Sequence, residues 1–150
     1  MAVQPIPAGF HTVTPYLVVR GAKRLVDFLK RAFQAEEIFV HTTPDGGVGH
    51  AQLRIGDSMI MLGEAMEPYQ PLSMSLYLYV PDTDAVYHQA IQAGGKSLME
   101  PADMFYGDRN GGVQDPWGNQ WWIATHIRDV SPKELQRAAD ERFAEQETRA

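Results

Sequence analysis

The side chains with chemical reach are few and scattered. There are five histidines and no cysteine, so disulfides, thiolate metal sites and cysteine nucleophiles are excluded together. His50 opens the alternating run His50-Ala51-Gln52-Leu53-Arg54, which puts its imidazole on one face of a strand. It could serve there as a hydrogen-bonding strand residue or as a general base. His11, His41, His88 and His126 share no ligand spacing, and His88 falls on the exposed side of a helical segment. Glu64, just beyond a strand, reads as a solvated carboxylate or as an acid/base or metal ligand. Asp108 and Arg109 could tie down an aromatic loop through a charged hydrogen bond, or Arg109 could meet an anionic ligand. Neither a Gly-rich phosphate loop nor a Ser/His/Asp arrangement is supported by spacing, and no catalytic residue or cofactor is assigned.

The elements that must position these groups read as an α+β pattern. Val13–Val19 alternates as a strand, Gly21 breaks it, and residues 22–32 follow as a helix with Leu25, Val26, Phe28, Leu29 and Phe33 on one stripe. Glu36–Thr42 is a strand ending in Pro44-Asp45-Gly46-Gly47, a hairpin signal. Val48–Ile55 and Ser58–Leu62 pair across Gly56-Asp57, and a Pro-containing loop covers 64–72. The pattern then repeats: strand Met74–Val80, helix Asp84–Ala93 closed by Gly94-Gly95, strand Lys96–Met99, and a final hairpin in Phe105–His126. In that hairpin Asp115-Pro116-Trp117-Gly118 reads as the turn, because Pro116 presets φ and Gly118 accepts a positive φ. Tyr16-Leu17-Val18-Val19 superposes on Tyr77-Leu78-Tyr79-Val80, about 61 residues further on. The result is a duplicated βαβββ unit. Ser131, Pro132 and Glu134 form the signature of a capped helix start, so a separate carboxyl-terminal helix spans about 131–147.

Alternation divides the strand residues into two unlike faces. One carries Leu17, Val19, Ala51, Leu53, Ile60, Leu62, Leu76, Leu78, Trp121 and Ile123, and suits packing beneath the helices. The other carries Thr14, Tyr16, Val18, His50, Gln52, Arg54, Met59, Met61, Ser75, Tyr77, Tyr79, Gln120, Trp122 and Ala124. Its aromatic, polar and thioether groups suit either a core with a hydroxylated rim or a ligand cleft with a few orienting groups. The candidate ligand-binding residues are Tyr16, His50, Gln52, Met61, Tyr77, Tyr79, Tyr106, Arg109 and Trp122.

Bulk properties narrow the class. One hundred and fifty residues with 44% hydrophobic content can bury a core as a single domain, residues 1–150. A net charge of −6 opposes phosphate neutralisation, so nucleic acid is not an expected partner. The amino terminus shows no secretory pattern and no apolar run spans a bilayer, so no membrane partner and a cytoplasmic location are expected.

The doubled unit, together with Thr14-Pro15-Tyr16-Leu17, His50-Ala51-Gln52-Leu53-Arg54-Ile55-Gly56-Asp57, Tyr106-Gly107-Asp108-Arg109 and Asp115-Pro116-Trp117-Gly118-Asn119-Gln120-Trp121-Trp122, resembles the vicinal oxygen chelate superfamily, which includes glyoxalase I, bleomycin- and fosfomycin-resistance proteins and extradiol dioxygenases, and most of all its PhnB-like branch. The resemblance implies two tandem modules, about 12–64 and 73–126, whose mixed sheets curl around a cleft commonly completed in a homodimer. It also implies that the metal-binding positions of the superfamily's enzymes fall on Thr14, Ile60 or Met61, Ser75 and Trp122, none an imidazole or carboxylate. The function this implies is metal-free binding of a small, partly aromatic molecule, as in bleomycin-binding members. Alternatives are a lyase or isomerase of glyoxalase type with a shifted metal site built from His50 or Glu64, and a ligand-free dimerisation module.

Overall fold

The computed structural model describes residues 2–150. Its elements are β1 (Tyr16–Val19), α1 (Ala22–Phe33), β2 (Glu36–Thr42), β3 (Val48–Ile55), β4 (Ser58–Glu64), β5 (Ser75–Tyr79), α2 (Thr83–Gln92), β6 (Lys96–Asp103), β7 (Asp108–Gln114), β8 (Gln120–His126) and α3 (Pro132–Arg149). They build two four-stranded sheets of identical order, β1-β4-β3-β2 and β5-β8-β7-β6. In each, the first strand pairs in parallel with the last and the others are antiparallel. The duplication is metrical as well as topological: Tyr16 stands opposite Met61 in the first sheet, and Tyr77 opposite Trp122 in the second.

The aliphatic face is the core. Leu17, Leu53, Leu62, Phe28 and Leu29 of the first module share one buried cluster with Val113, Trp121 and Ile123 of the second. The modules meet chiefly through α1 and α2. Phe33 lies 4.9 Å from the Trp121 ring and Phe28 lies 6.3 Å from the Trp117 ring, both centroid to centroid. Two hydrogen bonds cross the same seam: Trp117 Nε1 donates to the Arg20 carbonyl at 2.8 Å and Gln89 Nε2 to the Arg31 carbonyl at 2.8 Å.

Local chemistry explains most boundaries. Gly21, at φ 87°, lets the chain turn from β1 into α1 without a Cβ clash. Asp82 caps α2 by accepting from the Ala85 N–H at 3.1 Å. Ser131 and Glu134 form a complete capping box on α3, with Pro132 inside its first turn. Other boundaries differ from expectation. β1 begins at Tyr16 and not at Val13, which lies 82% exposed on the amino-terminal arm. β6 runs past Met99 to Asp103 through two register shifts, a pairing set by β7 that its own residues do not announce. Helix α3 continues to Arg149 and buries no residue. Arg142 of this helix lies over the Phe105 ring, at 4.8 Å.

Candidate functional site

The aromatic turn that dominates the sequence is structural. Asp115 is 4% exposed and its carboxylate is a hub. Oδ1 accepts from the backbone N–H of Trp117 and of Asn119, and Oδ2 accepts from Asn119 Nδ2 and Trp121 Nε1, all at 2.9 Å. Asn119 Oδ1 then accepts from the Met74 N–H at 2.9 Å, fastening the start of β5. Four donors on one buried carboxylate leave it no capacity for a ligand.

The second face of each sheet is open. On the first sheet it carries Tyr16, His50, Gln52 and Met61, which the structure brings together. Tyr16 Oη and His50 Nδ1 are 3.0 Å apart, Gln52 Nε2 lies 3.5 Å from His50 Nε2, and Met61 pairs across the strands with both Tyr16 and Gln52. Phe39 completes this group, 6.4 Å from the His50 ring.

On the second sheet the open face carries Tyr77, Tyr79, Tyr106 and Trp122. Here a buried carboxylate collects the hydroxyls. Asp108 is 3% exposed; its Oδ2 accepts from Tyr77 Oη at 2.8 Å and Tyr79 Oη at 3.0 Å, while Oδ1 lies 2.9 Å from His126 Nδ1. His126 Nε2 contacts Asp129 Oδ1 at 2.8 Å. Beside this cluster Asn110 Nδ2 donates to Tyr106 Oη at 3.0 Å, and Asn110 Oδ1 is buried without a partner. By strand pairing Asn110 stands opposite Ala124 as His50 stands opposite Gly63, so the two occupy corresponding places in the repeat.

These contacts shift the acidities. Burial would raise the Asp108 carboxyl, but the hydrogen bonds from His126, Tyr77 and Tyr79 win and hold it below the ordinary value. Tyr77 is pushed well up by burial, then by its bonds to Asp108 and Tyr106. Tyr79 is raised mainly by Asp108. His126 is raised by Asp129 first and Asp108 second. The tyrosines therefore remain protonated and act as donors to Asp108, not as bases.

Arg109 is not brought into this group. It projects from the helix side of β7, where Nε and Nη2 grip both Asp84 oxygens at 2.7 and 2.9 Å and Nη1 reaches Asp103 at 3.0 Å. Those ion pairs lock α2 onto the sheet, and Asp108 and Arg109 do not bond each other. Residues missed by the sequence reading are Phe39, Asp108 as a hub, Asn110 and His126. Carrying the two-residue alternation into Asp108-Arg109-Asn110-Gly111-Gly112-Val113 would have placed Asp108 and Asn110 on the open face, but glycines disguise this strand.

Tyr16 and Phe39 both pack near the His50 ring in the first module, and Tyr77 and Tyr79 stack with each other at 5.3 Å in the second. A cavity of about 1130 Å³ lies between the edge of β5 and the β3–β4 turn. Its walls are mostly apolar side chains such as Met59, Leu76, Leu78 and Val86, and of the nine candidates only Tyr77 and Tyr79 border it. The hydrogen-bonding side chains converge on the open faces.

The superfamily's metal chemistry finds no fitting donors. Trp122 Nε1 donates to Ser75 Oγ at 3.1 Å, so the two positions that the resemblance equates with ligands in the second module bind each other. Both oxygens of Glu64 accept from the Gly21 N–H, at 3.1 and 2.8 Å, which engages that carboxylate at the start of α1. Among the described residues no group of three or more His, Cys, Asp or Glu is arranged to hold a metal ion. Among the described residues, too, no helix is long and apolar enough to cross a membrane.

A repeated βαβββ unit with one helix-covered and one open face per sheet defines the glyoxalase type of fold. The chain belongs to the Glyoxalase/Bleomycin resistance protein/Dioxygenase superfamily, whose family model matches residues 9–123. It is 34% identical over 149 residues to an uncharacterized protein of Mycobacterium tuberculosis, covering 92% of this chain and 85% of that one. Among solved structures it is similar to TioX from Micromonospora sp. ML1, with a TM-score of 0.68 and 24% identity over 78% of this chain and 99% of that chain. A PhnB protein from Bacillus cereus superposes with a TM-score of 0.58 and 19% identity over 77% and 99% of the respective chains.

Proposed function

We propose that this protein binds a small, partly aromatic molecule between open sheet faces, without the superfamily's metal centre, and that the cleft is completed in a homodimer. The observation that carries this is the pair of unburied aromatic faces: Tyr16, Phe39, Tyr77 and Tyr79 are 45%, 53%, 43% and 67% exposed. Exposed aromatic residues on both sheets, three of them with hydroxyl tips, suit a second copy laying its first sheet over the second sheet of its mate. Such pairing would set Tyr16, His50, Gln52 and Met61 across a cleft from Tyr77, Tyr79, Tyr106 and Trp122. Nucleophile and metal chemistry have no support in the donor set, so the reading is sequestration and not turnover.

Sedimentation velocity and thermal-shift screening test this together. A dimer that gains melting temperature with at least one aromatic ligand is expected. A monomer with a flat screen would overturn the reading. Stoichiometric Zn, Ni, Fe or Mn in protein purified without chelator would favour the metal-dependent lyase instead. If Tyr77→Ala or Trp122→Ala weakens only assembly, with no ligand found, the protein is a dimerisation module.

A further inference from the structure

Hydrogen-bond capacity on the second sheet is unbalanced in a way that specifies a ligand. The Tyr77 and Tyr79 hydroxyl hydrogens are both directed at Asp108 Oδ2, and Asn110 Nδ2 is directed at Tyr106 Oη. Tyr77 is also bonded to Tyr106, so what remains is acceptor capacity on the Tyr79 oxygen and on Asn110 Oδ1. Asn110 is 4% exposed, and its Oδ1 is the buried side-chain atom left without a partner among the described residues. An orphaned buried carbonyl costs free energy until a donor reaches it.

The surroundings favour a donor that is also positively charged. Asp108 and Asp129 flank the single imidazole of His126, so the group carries net negative charge in either protonation state of the histidine. The Tyr77 and Tyr79 rings, 5.3 Å apart and inclined at 58°, present an angled aromatic pair beside it. Aromatic faces and converging acceptors beside a carboxylate are the chemistry that recognises an ammonium or guanidinium group.

We propose that the Tyr77–Tyr79–Asp108–Asn110 cluster is a subsite for the protonated nitrogen of an aryl-bearing amine or guanidine. This rests on the binding function proposed above and names the class of ligand that it selects.

Three probes of matched shape test it by NMR titration of the intact protein: 2-phenylethylamine, 2-phenylethanol and 3-phenylpropionate, each up to about 10 mM. The amine is expected to bind roughly tenfold more tightly than the alcohol, with the acid weakest and the largest shifts at residues 77–79 and 108–110. Asp108→Asn should collapse the preference of amine over alcohol. Because Asp108 is buried, Tyr79→Phe provides a second variant at an exposed ring, and it should cut that preference about threefold. Equal affinity for amine and alcohol, tighter binding of the acid, or an unchanged preference in both variants would overturn the subsite while leaving a binding protein. Silence with all three probes would likewise overturn the subsite, whereas the binding function falls only with a monomer and a flat thermal-shift screen.

Discussion

Substitution of Asp115 by Asn gives the sharpest test of how the final hairpin is held. The change is nearly isosteric, so it removes charge and acceptor capacity without opening a cavity. One oxygen can still accept two of the four hydrogen bonds, but the new amide nitrogen then confronts the other two donors. Whichever way the amide turns, either Asn119 Nδ2 and Trp121 Nε1 or the two backbone N–H groups are orphaned. Asn119 and Trp121 are both 0% exposed, so water does not replace the lost acceptor. At about 1–3 kcal/mol per orphaned buried donor the loss is about 4 kcal/mol, a large share of the roughly 5–15 kcal/mol that holds a domain together. Urea unfolding followed by circular dichroism measures it. With a slope near 2 kcal/mol per molar, the midpoint should fall by about 2 M at unchanged slope. Asp57→Asn, at an exposed turn, is the control and should stay within about 0.5 kcal/mol. A loss under about 1 kcal/mol for Asp115→Asn would refute the hub.

Further outcomes follow from the same geometry. The raised His126 contributes stability that is fully present below its unfolded value of about 6.5 and is lost as pH rises through the higher folded value. The melting temperature of His126→Gln should therefore lack the decline that the parent shows from mildly acidic to alkaline pH, and equal profiles would refute the Asp108–His126–Asp129 contacts. Asp108, held low, contributes above about 3.9 and loses that contribution as pH falls through its folded value; Asp108→Asn should flatten the acid limb of the same profile. Arg109→Gln releases α2 from β6 and β7, and because its partners are 47% and 67% exposed the urea midpoint should fall only slightly, far less than for Asp115→Asn. Gly112→Ala drives a Cβ into the Trp122 ring. It should shift tryptophan emission and cost about 1–3 kcal/mol, whereas an unchanged spectrum would mean that Trp122 does not lie over this strand.

Much of this molecule is written locally. Alternation in Tyr16–Val19 and Tyr77–Val80 sorts the side chains into two faces, and Gly21, Gly46 and Gly118 mark turns at which only a residue without a Cβ takes positive φ comfortably. Ser131-Pro132 starts α3 by capping chemistry that needs no tertiary partner. These signals act over two to four residues, and the repeat multiplies them, so the sequence alone determined the doubled βαβββ order, the buried face and the family. It also placed Tyr16, His50, Gln52 and Met61 on one surface and Tyr77, Tyr79 and Trp122 on another of the same kind. Only the tertiary structure decided partnership. It sent Arg109 to the helix side to hold Asp84 and Asp103, and joined Glu64 to the start of α1. It also gathered Tyr77, Tyr79 and His126 on Asp108 while leaving Asn110 Oδ1 unfilled. The physical reason is range: side-chain direction follows from the backbone period of two, but a hydrogen-bond partner tens of residues away is fixed by how strands register and sheets pack.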